Sequence, residues 1–137
     1  MSAEVRGYVV GPSMGISGSG PHIKATATLT AGALTVMEST VTQGPPRHVH
    51  AHEDECFYVL TGTVVVSCGD DVFDAVPRSF VFLPRGTPHT FHPADGHAEV
   101  LFIAVPGGIE HYFAEINSAV GEAEQERIGA KYDIRVV

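Results

Sequence analysis

Tryptophan is absent from this chain, and only two cysteines, Cys56 and Cys68, occur in its 137 residues. A disulfide scaffold is therefore excluded, and the core must come from apolar packing in what reads as a reducing compartment. Cations are scarce too: eight Lys and Arg stand against sixteen Asp and Glu, a formal charge of −8. So few cations cannot neutralise a row of phosphates, and there is no basic–aromatic platform for single strands, so no nucleic-acid partner is expected. No apolar run approaches the roughly 20 residues of a membrane span, so no membrane partner is expected either. Residues 1–20 carry one Arg and no apolar stretch of signal-peptide length. A cytoplasmic protein is the expectation. Missing as well are the P-loop and the Rossmann glycine fingerprint.

What is present suits one globular domain. The apolar share is 44%, enough for a core, and the charged share of 18% is too low for a disordered chain. Fifteen Gly and nine Pro imply frequent turns. The biased stretch at residues 11–21, Gly-Pro-Ser-Met-Gly-Ile-Ser-Gly-Ser-Gly-Pro, reads as a flexible loop. Beyond it lie short runs rich in Val, Thr and Phe, predicting strands over 24–30, 33–42, 47–51, 55–61, 63–68, 71–75, 79–83, 89–92 and 98–105. Strand starts roughly 8–12 residues apart favour an all-β sandwich or barrel. From residue 109, Ile109, Tyr112, Phe113, Ile116 and Val120 recur at helical spacing. A second helical stretch at about 122–130 and an edge strand within 132–137 complete the chain. The expected organisation is a flexible N-terminal arm over 1–23, a β-barrel over 24–106, and a C-terminal helical tail over 107–137 packed on the barrel.

The eight histidines are the compositional oddity, and three of them fall at His48, His50 and His52, followed by Glu53, Asp54 and Glu55. In a strand His48 and His50 face the same way. Two imidazoles from one strand and a carboxylate from the next can converge on a divalent ion, and such a mixed N/O shell suits Fe, Mn, Co, Ni, Cu or Zn better than Ca or Mg. A further imidazole would complete three His and one Glu. His89 is the best candidate, because it follows the turn Pro84-Arg85-Gly86-Thr87-Pro88. Taken alone, the cluster is equally readable as surface histidines beside a solvated acidic turn.

The spacing adds to this reading. His48-Val49-His50, four residues, Glu55, six residues and Gly62 resemble the first motif of the cupin superfamily. Pro84-x-Gly86-x-x-His89 resembles the heart of its second motif, and fifteen residues, 63–77, separate the two. Arg78 stands where the second motif usually opens with Gly, and Pro93 where it closes with Asn; neither is a ligand position. Gly44 lies two residues closer to His48 than the first motif expects, but the rival register through His50 and His52 leaves too few residues before Glu55.

The resemblance implies a double-stranded β-helix, the jelly-roll barrel, with His48, His50, Glu55 and His89 holding one divalent transition metal per chain (Fe, Mn, Ni, Co or Zn). The strings Pro-Pro-Arg-His-Val-His, Glu-Cys-Phe-Tyr-Val-Leu-Thr-Gly and Phe-Val-Phe-Leu-Pro-Arg-Gly-Thr-Pro-His look most like the small single-domain quercetinase-like cupins. Likeness to that group implies a dioxygenase acting on a small aromatic or enolisable substrate, with Glu55 as both ligand and base. A metal-assisted isomerase or cyclase, or a non-catalytic binding cupin, is the alternative. The resemblance also implies a homodimer.

Parity from Glu55 and His89 places Phe57 and Phe91 beside the metal, as apolar walls of a substrate pocket. His52 stands close enough in sequence to steady one of the ligands; otherwise it is a hydrated turn histidine. His92 falls on the opposite face from His89, and His22, His97 and His111 sit in loop or exposed positions. Gly62 suits a hairpin position with positive φ, and Pro84 with Gly86 builds the turn that aims His89 inward.

Overall fold

The computed structural model describes residues 4–16 and 22–137. Among the described residues, ten strands and three short helices follow in chain order: β1 (His22–Ala25), α1 (Ala27–Thr30), β2 (Thr35–Val41), β3 (His48–His50), β4 (Asp54–Thr61), β5 (Val64–Cys68), β6 (Asp71–Ala75), β7 (Phe80–Leu83), β8 (His89–Pro93), β9 (Ala98–Val105), α2 (Ile109–Ile116), α3 (Glu122–Lys131) and β10 (Ile134–Val136). The strands form two five-stranded sheets, ordered β1-β2-β9-β4-β7 and β10-β3-β8-β5-β6. Every pairing is antiparallel. This is the jelly-roll barrel with C-terminal helices that the sequence predicts.

Period-two alternation decides which side chains fill the space between the sheets. On β9, Ala98, Val100, Phe102 and Ala104 are buried, with more accessible residues between them. They stand in register with Val59, Phe57 and Glu55 of β4, as Val100↔Val59, Phe102↔Phe57 and Ala104↔Glu55. From the second sheet, Val64 and Val66 of β5 join Phe57, Val59, Val81 and Leu83 in one apolar cluster. A second cluster gathers Met37, Phe102, Ala104, Ile109 and Ile134, with Tyr112, Phe113 and Tyr132 packed against it. Ile109 of α2 is thus buried on the barrel with Tyr112 and Phe113 half-buried beside it, whereas Val120, expected on the same stripe, lies past the end of the helix at Ile116 and is exposed. Phe113 meets Phe102 edge-on, with ring centroids 5.8 Å apart.

Glu110 secures the start of α2. Its carboxylate accepts from the backbone N–H of Ala27 at 2.9 Å and of Gly108 at 3.1 Å, and from the hydroxyl of the fully buried Thr35. Gly108 offers no side-chain cap, so Glu110 supplies the acceptor that the helix start lacks.

Two regions differ from the sequence reading. The strand predicted over 24–30 stops at Ala25, because Thr26 caps a single helical turn by accepting from the Leu29 N–H at 3.3 Å. A side-chain hydroxyl that offers the backbone a local acceptor redirects the chain in this way. The region read as an arm over 1–23 is partly docked: Lys24 donates to the carbonyls of Gly11 and Met14, and the Ile16 N–H donates to the Ile23 carbonyl at 2.7 Å. The rest of the biased stretch, residues 17–21, lies outside the described residues. The edge strand expected within 132–137 is β10, which adds to the second sheet at the free edge of β3, with Ile134↔His50 and Val136↔His48.

Candidate metal centre

β3 and β8 are neighbours in the second sheet, and their registered pair is His48↔His89. His50, two residues along β3, shares the inward face with His48. Glu55 comes from β4 in the opposing sheet, so three imidazoles on one layer face one carboxylate on the other. The turn before β8 is pinned at both ends. Arg85 donates to the Asp54 carboxylate from its backbone N–H at 2.9 Å and from its guanidinium at 3.1 and 3.2 Å, and the Gly86 N–H donates to the His50 carbonyl at 2.8 Å. That turn delivers His89 to the cluster, as the Pro-x-Gly spacing predicts.

The sequence-predicted set converges. One ligand atom from each of His48, His50, Glu55 and His89 lies within 4.8 Å of all the others. Their exposures are 9, 3, 4 and 1%, so the cluster is inside the barrel. His50 and His89 lie nearly parallel at a 9° interplanar angle, and His48 stands edge-on to both. Glu55 Oε2 approaches His89 Nε2 to 2.6 Å, and Oε1 lies 3.8 Å from His50 Nε2.

Hydrogen bonding shows what the centre is built for. His48 Nδ1 donates to the Pro46 carbonyl at 2.7 Å, and His50 Nδ1 to Glu53 Oε1 at 2.6 Å. Both bonds leave an Nε2 lone pair for the interior. Yet His50 Nε2, Glu55 Oε2 and both ring nitrogens of His89 are buried without a hydrogen-bond partner, the short Glu55–His89 approach included. A buried polar atom left so costs about 1–3 kcal/mol, and several at one point need a common explanation. A coordinated cation would supply it, since three imidazoles with one carboxylate are a donor set that could hold a divalent transition metal.

The protonation states agree with that role. Burial pushes the His48 pKa down from 6.5, keeping the ring neutral and its lone pair free. Burial alone would raise the Glu55 carboxyl, but the imidazoles around it, His89 foremost, hold it below its ordinary 4.5.

The remaining sequence-predicted residues are placed as follows. Phe57 is 1% exposed and sits in the core cluster; Phe91 is half-buried and packs on it, with ring centroids 5.3 Å apart. His52 stands apart from the four donors, its side chain 65% exposed, with Nε2 2.5 Å from Asp133 Oδ2. It lines an open cleft of about 230 Å³ with Glu53, Gly108, Tyr112, Tyr132 and Asp133. The residue that does hold a ring of the cluster is Glu53, which the sequence reading left among acidic turn residues. The signal was its place three residues after His50, but that spacing acquires meaning only in the turn the chain makes there.

A family model described as the cupin domain matches residues 35–106. The chain belongs to the cupin family. No curated protein matches this cupin. Among solved structures it is similar to TT1209 from Thermus thermophilus, 25% identical with a TM-score of 0.53, over 63% of this chain and 79% of that one. It is similar to KdgF from a Halomonas species at 18% identity and a TM-score of 0.57, over 65% and 79% of the two chains. It is also similar to Streptomyces PAC13, solved with uridine, at 20% identity and a TM-score of 0.52, over 58% and 64%. The last two likenesses show a shared fold.

Proposed function

We propose that this cupin is a metal-dependent enzyme of small molecules and, within that class, a dioxygenase like the quercetinase-like members. The observation that carries the reading is the buried set of three imidazoles and one carboxylate, in which His50, Glu55 and His89 present atoms without hydrogen-bond partners. His48, His50, Glu55 and His89 would hold one divalent first-row metal (Fe, Mn, Ni, Co or Zn), which when bound would supply Lewis acidity and, for each of these ions but Zn, one-electron redox chemistry. The chain's own part is positioning and proton handling. Glu55, held ionised, can take the hydroxyl proton of an enol or phenol. Phe91 offers a half-buried ring two residues from His89 for an aromatic or otherwise apolar substrate, and Phe57 backs it from the core.

The test is elemental analysis followed by oxygen uptake with flavonols and related enolisable aromatics. His48→Ala and His89→Ala should lose the metal. Glu55→Gln should suppress turnover more than metal content, since it keeps the shape but removes the base. Equal turnover under argon would replace the dioxygenase with a metal-assisted isomerase or cyclase. Binding of small molecules with no turnover in a broad panel would leave a non-catalytic binding cupin.

We also place the protein in the cytoplasm as a two-fold homodimer. Cys56 and Cys68 are free thiols, as a reducing compartment requires. Edge strand β7 exposes Phe80 and Phe82, at 62 and 51%, in register with Tyr58 and Cys56. Apolar rings on the outer face of an edge strand are a surface that a second copy can cover.

A further inference from the structure

Glu53 is 9% exposed, a burial that acidic side chains rarely reach without a partner. Its partner is His50, whose Nδ1 lies 2.6 Å from Glu53 Oε1. An ionised carboxylate only accepts, so the imidazole must donate its Nδ1–H, and the lone pair then resides on Nε2. That Nε2 is one of the buried atoms without a hydrogen-bond partner, and it faces Glu55. The three rings are therefore not equivalent. His48 donates to a neutral carbonyl and His50 to a carboxylate, while Nδ1 of His89 has no partner. A carboxylate pulls on the N–H more strongly than a carbonyl does, and it makes the opposite nitrogen the more basic donor.

The geometry points to Glu53 as the positioning residue of this centre: it fixes the tautomer and orientation of His50 and makes it the strongest of the three nitrogen donors. This rests on the metal reading above. Glu53 itself is no ligand, because its bonded oxygen is on the far side of the imidazole from the other donors.

Cobalt(II) is the probe, because its visible absorption reports ligand geometry. The full chain and its Glu53→Gln and Glu53→Ala variants are titrated with Co²⁺ at pH 8, and histidine-labelled, metal-free protein is examined by ¹⁵N NMR. The wild type should bind one equivalent, with His50 in the Nδ1–H tautomer. Glu53→Ala should lower affinity about 10–100-fold and release the tautomer. Glu53→Gln, which still offers a carbonyl acceptor, should keep the tautomer and lose less affinity. A residue that only props the turn would change thermal stability and leave the tautomer alone. Equal Co²⁺ affinities in wild type and Glu53→Gln, with His50 unchanged in Glu53→Ala, would overturn the assignment. Should Glu53→Ala fail to fold, the affinity of the isosteric Glu53→Gln decides alone. A wild type that takes up no cobalt sinks the metal reading itself, whereas uptake with equal affinities sinks only the role of Glu53.

Discussion

Two single residues outside the centre carry consequences that can be measured. Glu110 accepts three hydrogen bonds at the start of α2, and these outweigh the upward push of its burial, holding its carboxyl below the ordinary 4.5. A group depressed on folding contributes stability above its unfolded pKa and loses it as pH falls through the folded one. Denaturant unfolding should therefore show wild-type stability declining below about pH 4.5, and a Glu110→Gln curve flatter in that window. At pH 7 the variant should be about 1.5–3 kcal/mol less stable, the usual cost of losing hydrogen bonds to a charged group. Arg78 adopts φ +72° at the position where the second cupin motif usually has Gly. Left-handed backbone costs a non-glycine residue about 1–2 kcal/mol, and the greater unfolded-state freedom of glycine takes back about 0.5–1 kcal/mol. Arg78→Gly should thus stabilise the protein by about 0.5–1 kcal/mol in the same measurement. The sequence had a signal for the ligand positions and for the motif glycine. His48, His50, Glu55, His89 and Gly62 stand in a spacing that physical chemistry and a family likeness both explain, and Gly62 does sit at φ +78°. Glu53 and Glu110 carried no comparable mark, since each gains its partners from a turn or a distant strand.

Among the elements, strands with clean alternation and helices with a clean stripe were legible, and those depending on a far partner were less so. β9 and α2 announce themselves through Ala98 to Ala104 and through Ile109, Tyr112, Phe113 and Ile116. α1 hid inside a β-like run, because one threonine cap outweighs the strand preference of its neighbours. β10 reads only as an edge strand, and nothing in its three residues says that it pairs with the strand bearing two of the proposed ligands. Here lies a further expectation. Removing residues 133–137 unpairs β3 along one edge and takes away the Asp133 carbonyl that accepts from the Ala51 N–H at its end. Cobalt titration of the shortened chain should show weaker binding, with the far cluster around Val64 and Val66 still folded. Ile109→Ala tests α2 on its own. It removes a 4% exposed side chain and should cost about 2–4 kcal/mol by thermal or denaturant unfolding.

At the level of the whole molecule the buried four-donor cluster draws on both sheets, and two apolar clusters fill the rest of the core among the described residues. An ion held there would tie the sheets together, so chelation should lower the thermal midpoint by several degrees. An ion at 100 times its dissociation constant is worth about 2.7 kcal/mol to the folded state. Scanning calorimetry with and without chelator reads this directly, and unchanged midpoints would speak against the site. Sedimentation tests the dimer: the wild type should exceed the 14.5 kDa of one chain, and a Phe80→Ser, Phe82→Ser double variant should approach it. The partnership of β10 with β3 also sets a timetable. A ribosome adding about 5–20 residues per second releases His48 and His50 several seconds before Ile134. Through that interval β3 has one edge with no strand beside it, open to any other nascent chain. Synthesis speed, and chaperones that shield a bare strand edge, should therefore govern the yield of native protein more than its final stability does.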